Sequence, residues 1–292
     1  QALALALLRN GQVDEAAPDL EAVRQAASKK DQQQGFATVA ALLSQVDDRQ
    51  AALRVMQQFG DRHPRSAFAQ YYQAMLAAAA GDRPLALASL DRALVRNPKL
   101  VPAHLLRTRL LMDQGDRDAA LAGMAKAVAI LPRDRNLRMN YARLLVDAGQ
   151  LDKARREFAT LLNQNPKDNE SVYALGVLAT ETRQFDLAES YILELIKRNV
   201  LLADTYFELG RIEEQRGDYT KANEWYSRVS GEERYLTAQL RKGVMLAKAG
   251  ETAAFTQHFE TLRRDQPQNS ITLYLAEAEA LREANRYQEA FD

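Results

Sequence analysis

Residues 135–168 read RNLRMNYARLLVDAGQLDKARREFATLLNQNPKD, with two apolar stripes separated by a glycine. Leu137, Tyr141, Leu144 and Leu145 recur at the spacing of one helix face, and Gly149 interrupts the run. Leu151, Ala154, Phe158, Leu161 and Leu162 form the second stripe, which Pro166 closes. Glycine suits a helix C-terminus, because the left-handed backbone found there strains any residue that has a Cβ. Proline has no amide hydrogen to donate, so it marks the turn that follows the second helix. The stretch predicts two short helices joined by a turn.

The same pattern recurs along the chain. Pro64, Pro98, Pro132 and Pro166 are spaced by 34 residues, as are Ala52, Ala86, Ala120, Ala154, Ala188 and Ala222. Gly81, Gly115 and Gly149 keep that step, and Gly217 falls two steps further on. Three residue types on one period make the chain an array of like units. Small residues recur in each first helix, at Ala40, Ala74, Thr108, Ala142, Gly176 and Gly210. Facing the repeated alanines, they let paired helices approach closely. Met56, Leu90, Met124, Phe158, Ile192 and Tyr226 supply the volume that remains.

These residues resemble the tetratricopeptide repeat, a helix–turn–helix family of 34-residue units. The resemblance implies an all-α, right-handed superhelical solenoid forming a single array over 1–292. Full units fall at 33–66, 67–100, 101–134, 135–168, 169–202, 203–235 and 236–270, with partial units at 1–30 and 271–292. Both ends look cut from a longer protein. Gln70, His104 and Arg138 replace the usual first-helix aromatic or leucine, and Glu213 and Phe255 stand where an apolar and a small residue are usual. Pro18 lies inside an expected second helix, which it should kink or restart. These departures predict local changes of tilt, above all around 203–260.

Catalytic chemistry finds little support. The chain has 39 basic and 39 acidic residues and a pI near 7.1, which argues against nucleic acid or an anionic membrane surface as partner. The absence of cysteine excludes disulfides, thiolate metal sites and a cysteine nucleophile. No apolar run approaches the ~20 residues of a membrane span. His63, His104 and His258 fall at three different repeat positions, so the array does not gather them into a metal site. No phosphate-cradle, dinucleotide, nucleophile-elbow or zincin motif occurs. Glu213 with Glu214, and Asp47 with Asp48, read as solvated faces rather than acid–base pairs. Asn169-Glu170-Ser171 fits a glycosylation sequon, a weak signal in isolation. The expectation is a protein without enzymatic activity, cofactor or metal.

Surface is what remains. In the tetratricopeptide family, set positions of the first helix line the concave face. Carried over, these give Phe68, Tyr71 and Met75, then Leu105, Arg109 and Met112, then Met139 and Arg143, then Tyr173 and Val177, then Phe207 and Arg211. Aromatics, methionine and arginine are the types enriched at protein interfaces. A plainer reading pairs Arg109 with Asp113, and Arg143 with Asp147, as helix-surface ion pairs. Family members that clamp acidic chaperone tails use lysine, asparagine and basic residues there. Leu105, Arg109, Asn140, Glu170 and Ala174 match that set only at Asn140, so the clamp is absent.

The segment 225–236, WYSRVSGEERYL, resembles outer-membrane tetratricopeptide lipoproteins of gammaproteobacteria. Some of these are adaptors of periplasmic carboxy-terminal-processing proteases. The resemblance implies a scaffold at the periplasmic face of the outer membrane, with such a protease and its cell-wall hydrolase substrates as protein partners. A cytoplasmic location stays open. So do two other classes of function: the repeat portion of an exopolysaccharide export or synthesis machine, and the regulatory arm of an enzyme such as a glycosyltransferase.

Overall fold

A left-handed glycine followed by aspartate is the device that turns the chain. Gly115 ends one helix at φ 86° and Gly217 ends another at φ 85°, a conformation open to glycine at little cost. The next residue caps the following helix. The side chain of Asp116 accepts from the Ala119 amide at 3.1 Å, and that of Asp218 from the Lys221 amide at 3.1 Å. Asp82, after Gly81, does the same for Leu85 at 3.0 Å. Each dipeptide thus closes one helix and starts the next, antiparallel to it.

The computed structural model describes residues 2–27 and 32–290, so the ends of the partial units 1–30 and 271–292 lie outside the described residues. The chain divides into two compact units, 1–154 and 155–292. The first contains α1 (Ala2–Arg9), α2 (Ala17–Ala27), α3 (Gln32–Leu43), α4 (Arg49–Arg62), α5 (Ala67–Ala79), α6 (Arg83–Arg96), α7 (Val101–Gln114), α8 (Arg117–Ile130) and α9 (Arg135–Asp147). After α10 (Leu151–Gln164), the second holds α11 (Asn169–Glu181), α12 (Phe185–Lys197), α13 (Leu202–Arg216), α14 (Tyr219–Ser227), α15 (Glu232–Lys248), α16 (Thr252–Asp265) and α17 (Ser270–Glu283). No strand occurs among the described residues. The fold is an all-helical solenoid of hairpins, with α5 packed on α6, α7 on α8, α11 on α12 and α13 on α14.

Volume complementarity closes each hairpin. The alanines Ala52, Ala86, Ala120, Ala154, Ala188 and Ala222 are all buried, and so are Met56, Leu90, Met124, Phe158, Ile192 and Tyr226. Where the bulky residue is Ile192 or Tyr226, the first helix carries glycine. A Cβ on Gly176 would lie 2.5 Å from Ile192 Cδ1, and one on Gly210 would lie 2.5 Å from the Tyr226 ring. Gly243 stands in the same relation to Phe259, at 2.5 Å.

The polar intruders are accommodated by bonds to the chain itself. His104 Nε2 donates to the Pro98 carbonyl at 2.8 Å, and Arg138 Nη2 to the Pro132 carbonyl at 2.7 Å. Gln70 donates to the Gly60 carbonyl at 3.3 Å. Each ties a buried helix face to the preceding turn or helix. Pro18 restarts the second helix of its unit: residues 13–16 form only turns, and α2 begins at Ala17 with the proline in its first turn, where a missing amide hydrogen leaves no bond unmade. Within 203–260, α14 is shortened to 9 residues and α15 lengthened to 17.

At the α11–α12 turn the device is missing. Arg183 holds φ 57°, and Gln184 makes no side-chain cap bond. A non-glycine residue in the left-handed region is strained by about 1–2 kcal/mol, and an effective cap is worth ~1 kcal/mol. Replacing the pair, Arg183→Gly with Gln184→Asp, should raise stability by about 1 kcal/mol or more. Gly210→Ala should lower it by ~1–3 kcal/mol through overpacking against Tyr226. Urea midpoints of the two variants check both signs.

Candidate functional site

The first helices of the 1–154 unit line a groove of about 770 Å³. Tyr71 and Met75 enter it from α5, Leu105, Arg109 and Met112 from α7, and Asn140 and Asp147 from α9. Residues four apart on each helix, and 34 apart along the chain, share this wall because the hairpins stack in register. Tyr71 is half-buried and packs edge-on against Tyr72, with ring centroids 5.0 Å apart. Burial pushes its phenol up from the usual range, against the pull of Arg109. The Arg109 guanidinium is exposed and makes no hydrogen bond or ion pair among the described residues, so the pair with Asp113 does not form. Arg109 also borders a smaller cavity of about 360 Å³ with Met75 and Asp113.

Other members of the expected column are placed differently. Phe68 is half-buried and packs on the core of its unit. Met139 is 3% exposed and offers no surface, because α9 turns it into the packing layer. Arg143 is exposed on α9. In the 155–292 unit, Tyr173 and Val177 are half-buried on α11. Burial, reinforced by Glu208 and Asp204, pushes the Tyr173 phenol up to about 12.

Phe207 and Arg211 border a second cavity of about 310 Å³ with Glu214, Tyr226 and Arg241. Here the arginines are already neutralised. Arg211 pairs with Glu181 and, at 3.0 Å, with the buried Glu208. Arg241 bridges Glu214 and Glu283, and Lys248 adds a 2.7 Å contact to Glu283. Tyr226 donates to Glu214 at 2.9 Å. Arg211 therefore differs in kind from Arg109: reversing its charge would break a buried pair rather than probe a surface. Reading the sequence by nearest charges missed these partners. Their signal is a separation of about one repeat less one helical turn, as in Glu181–Arg211, Asp204–Arg234 and Asp186–Arg216, each 30 residues apart.

The histidines are held singly. His104 and His258 bond backbone carbonyls at 2.8 and 2.9 Å. His63 lies edge-on to Phe36 and 3.6 Å from Glu21.

Tetratricopeptide-repeat family models match residues 111–179 and 173–234. A TPR repeat-containing protein of Pseudomonas aeruginosa is 37% identical over 86 residues, a match that spans 30% of this chain and 15% of that protein. Among solved structures, the C-terminal part of a TPR repeat-containing protein from Cytophaga hutchinsonii superimposes with TM-score 0.58 at 15% identity, over 78% of this chain and 93% of that one. PilW, a widely conserved type IV pilus biogenesis factor, gives 0.53 at 21% identity over 69% and 94%. YrrB, a TPR protein with an unusual peptide-binding site, gives 0.50 at 18% identity over 60% and 90%. These likenesses show the fold. Residues 111–234 carry tetratricopeptide repeats, and a fold of that kind supports a protein–protein interaction scaffold.

Glu208 gives this region a pH signature. Burial outweighs the attraction of Arg211 and the Thr180 hydrogen bond, and holds its carboxyl above the usual range. A carboxylate raised on folding contributes stability that is complete below its unfolded pKa and is lost as pH rises through the folded value. Glu208→Gln should remove that decline, flattening the urea midpoint from about pH 4.5 upward relative to the parent. A parallel pH profile for the two proteins would contradict this.

Proposed function

We propose that the array is a non-catalytic scaffold that holds a partner protein in the groove of α5, α7 and α9 and brings substrate proteins to a partner enzyme. The observation that carries this reading is the groove itself. It places a half-buried tyrosine, two methionines and an unpaired guanidinium on one wall, in a fold that supports protein binding. Thioethers adapt to varied apolar ligands, and a free guanidinium can make forked bonds to a carboxylate or backbone carbonyl. YrrB has a peptide-binding site on repeats of the same kind.

The narrower reading makes the enzyme a periplasmic processing protease, its substrates cell-wall hydrolases, and the location the periplasmic face of the outer membrane. It rests on the resemblance carried by 225–236. Much of that segment does structural work here. Trp225 stacks on Tyr206, Tyr226 is buried, and Arg234 pairs with Asp204 at 2.8 Å.

Arg109→Glu should weaken a natural partner by ~30-fold, the scale of a hot-spot contact near 2 kcal/mol. The exposed position predicts unchanged circular dichroism and thermal stability. Undiminished affinity would place the partner elsewhere. For the scaffold mechanism, substrate cleavage by the partner protease should rise and then fall as repeat protein is added, because excess scaffold loads enzyme and substrate on separate molecules. Cleavage that ignores the repeat protein at every ratio would overturn the adaptor reading and leave the groove reading standing.

A further inference from the structure

The repeats close one gap in several ways, and one repeat leaves it open. The gap lies between the start of a first helix and the middle of the second. In unit 203–235, Trp225 stacks on Tyr206 with centroids 6.1 Å apart and planes 17° from parallel, and the Arg228 guanidinium lies 4.4 Å over the indole. In unit 236–270, His258 takes the place of the indole, and its Nε2 donates to the Gln239 carbonyl at 2.9 Å. In unit 67–100 the same place holds only Ser89. There Arg92 closes the gap, donating to Ser89 Oγ at 2.8 Å and to Gln70 Oε1 at 2.7 Å.

The residues 102 positions before Tyr206, Trp225 and Arg228 are His104, Gly123 and Lys126. All three line a cavity of about 590 Å³ on α7 and α8, bordered by Val95 and Ile130, which are 77% and 41% exposed. The flanking residues are present and the filling ring is absent. Packing does not demand the glycine. A Cβ on Gly123 would meet only Arg107 Nη1, at 3.0 Å, the end of a flexible side chain. Gly176, Gly210 and Gly243 are different, since a Cβ there would strike a core side chain. A glycine inside a helix is unfavourable by ~1 kcal/mol relative to alanine, so the opening is maintained at a cost to the helix.

We propose that this slot receives an aromatic side chain of a partner protein, flanked in its sequence by a carboxylate. The ring would occupy the place that Trp225 fills in its own repeat, with the Lys126 ammonium over its face as Arg228 lies over Trp225. Charge favours the same occupant. Asp91 pairs with Arg107 at 2.8 Å, whereas Lys126 makes no hydrogen bond or ion pair among the described residues. The slot therefore carries one positive charge in excess, which complements both the negative face of a ring and an adjacent acidic residue. It stands apart from the proposed function: α7 presents Arg107 to this cavity and Arg109 to the other groove.

The test titrates the full chain with the peptide acetyl-Asp-Ala-Trp-Leu-Ala-Asp-amide and with its counterpart carrying alanine for tryptophan. Methyl resonances of Val95 and Ile130 are followed by NMR. The tryptophan peptide should shift both residues and bind at least tenfold more tightly than the alanine peptide. Gly123→Trp, which refills the slot from within, should abolish the shifts with circular dichroism unchanged. Lys126→Glu should weaken binding at least tenfold and serves equally if the glycine variant does not fold. Arg109→Glu should leave this titration unaltered, which separates the result from the fate of the other groove. Equal binding of the two peptides, or undiminished binding to Lys126→Glu or to a folded Gly123→Trp, would overturn the proposal. So would a parent chain whose self-association is lost in Gly123→Trp, since a second copy would then be the occupant.

Discussion

Close approach of two helices is the constraint on which everything else depends. A hairpin can bury Tyr226 completely only because Gly210 opposite has no side chain to displace. The same exchange of volume places Ile192 over Gly176 and Phe259 over Gly243. Interiors pack at crystal-like density, so a surplus on one helix must be met by a deficit on its partner. Once every hairpin closes to a similar spacing, its outward residues fall into columns. Tyr71 and Leu105 share a groove for this reason, although 34 residues separate them.

The two units meet their polar residues by different means. In 1–154, isolated polar groups on buried faces bond backbone carbonyls, as His104 and Arg138 do. In 155–292, arginines bridge carboxylates across several helices. Arg216 contacts Asp186, Glu189 and Glu213 at 2.7 to 2.9 Å, and Arg241 joins Glu214 to Glu283. Removing one member of such a partly buried set leaves the rest uncompensated, which disfavours drift at any single position. A guanidinium held this way has few donors left for a partner, whereas Arg109 keeps all of its own.

Hairpins, turns and the small and bulky columns were legible because each is fixed by contacts within one repeat or between neighbours. Glycine at 115 and 217, with aspartate after it, announces a helix end and the next cap in two letters. The groove residues Tyr71, Met75, Leu105, Arg109 and Met112 were also legible, since register alone brings them together. Met139 was not. It shares its repeat position with Tyr71, yet its exposure depends on how α9 meets its neighbours, which residue type does not encode. Arg211 was misread for a similar reason. Its partners lie three residues away on its own helix and 30 residues back on another, and the second separation has no meaning until the stacking register is known.

A repeat protein is its own control. Features present in every unit serve the packing, because every unit meets the same neighbours. A feature that one unit lacks, while its flanking residues remain, is a departure from that common need. Gly123 is such a departure: no side chain fills the place that Trp225, His258 and Arg92 close in their own units, the histidine below and the cation beside it are present, and no core atom requires the space. Arg183 departs in the opposite direction, holding a strained turn that glycine holds elsewhere. The first leaves a surface that can be filled from outside, and the second leaves only strain. Comparison among repeats thus separates residues that build the array from residues that the array leaves available for recognition.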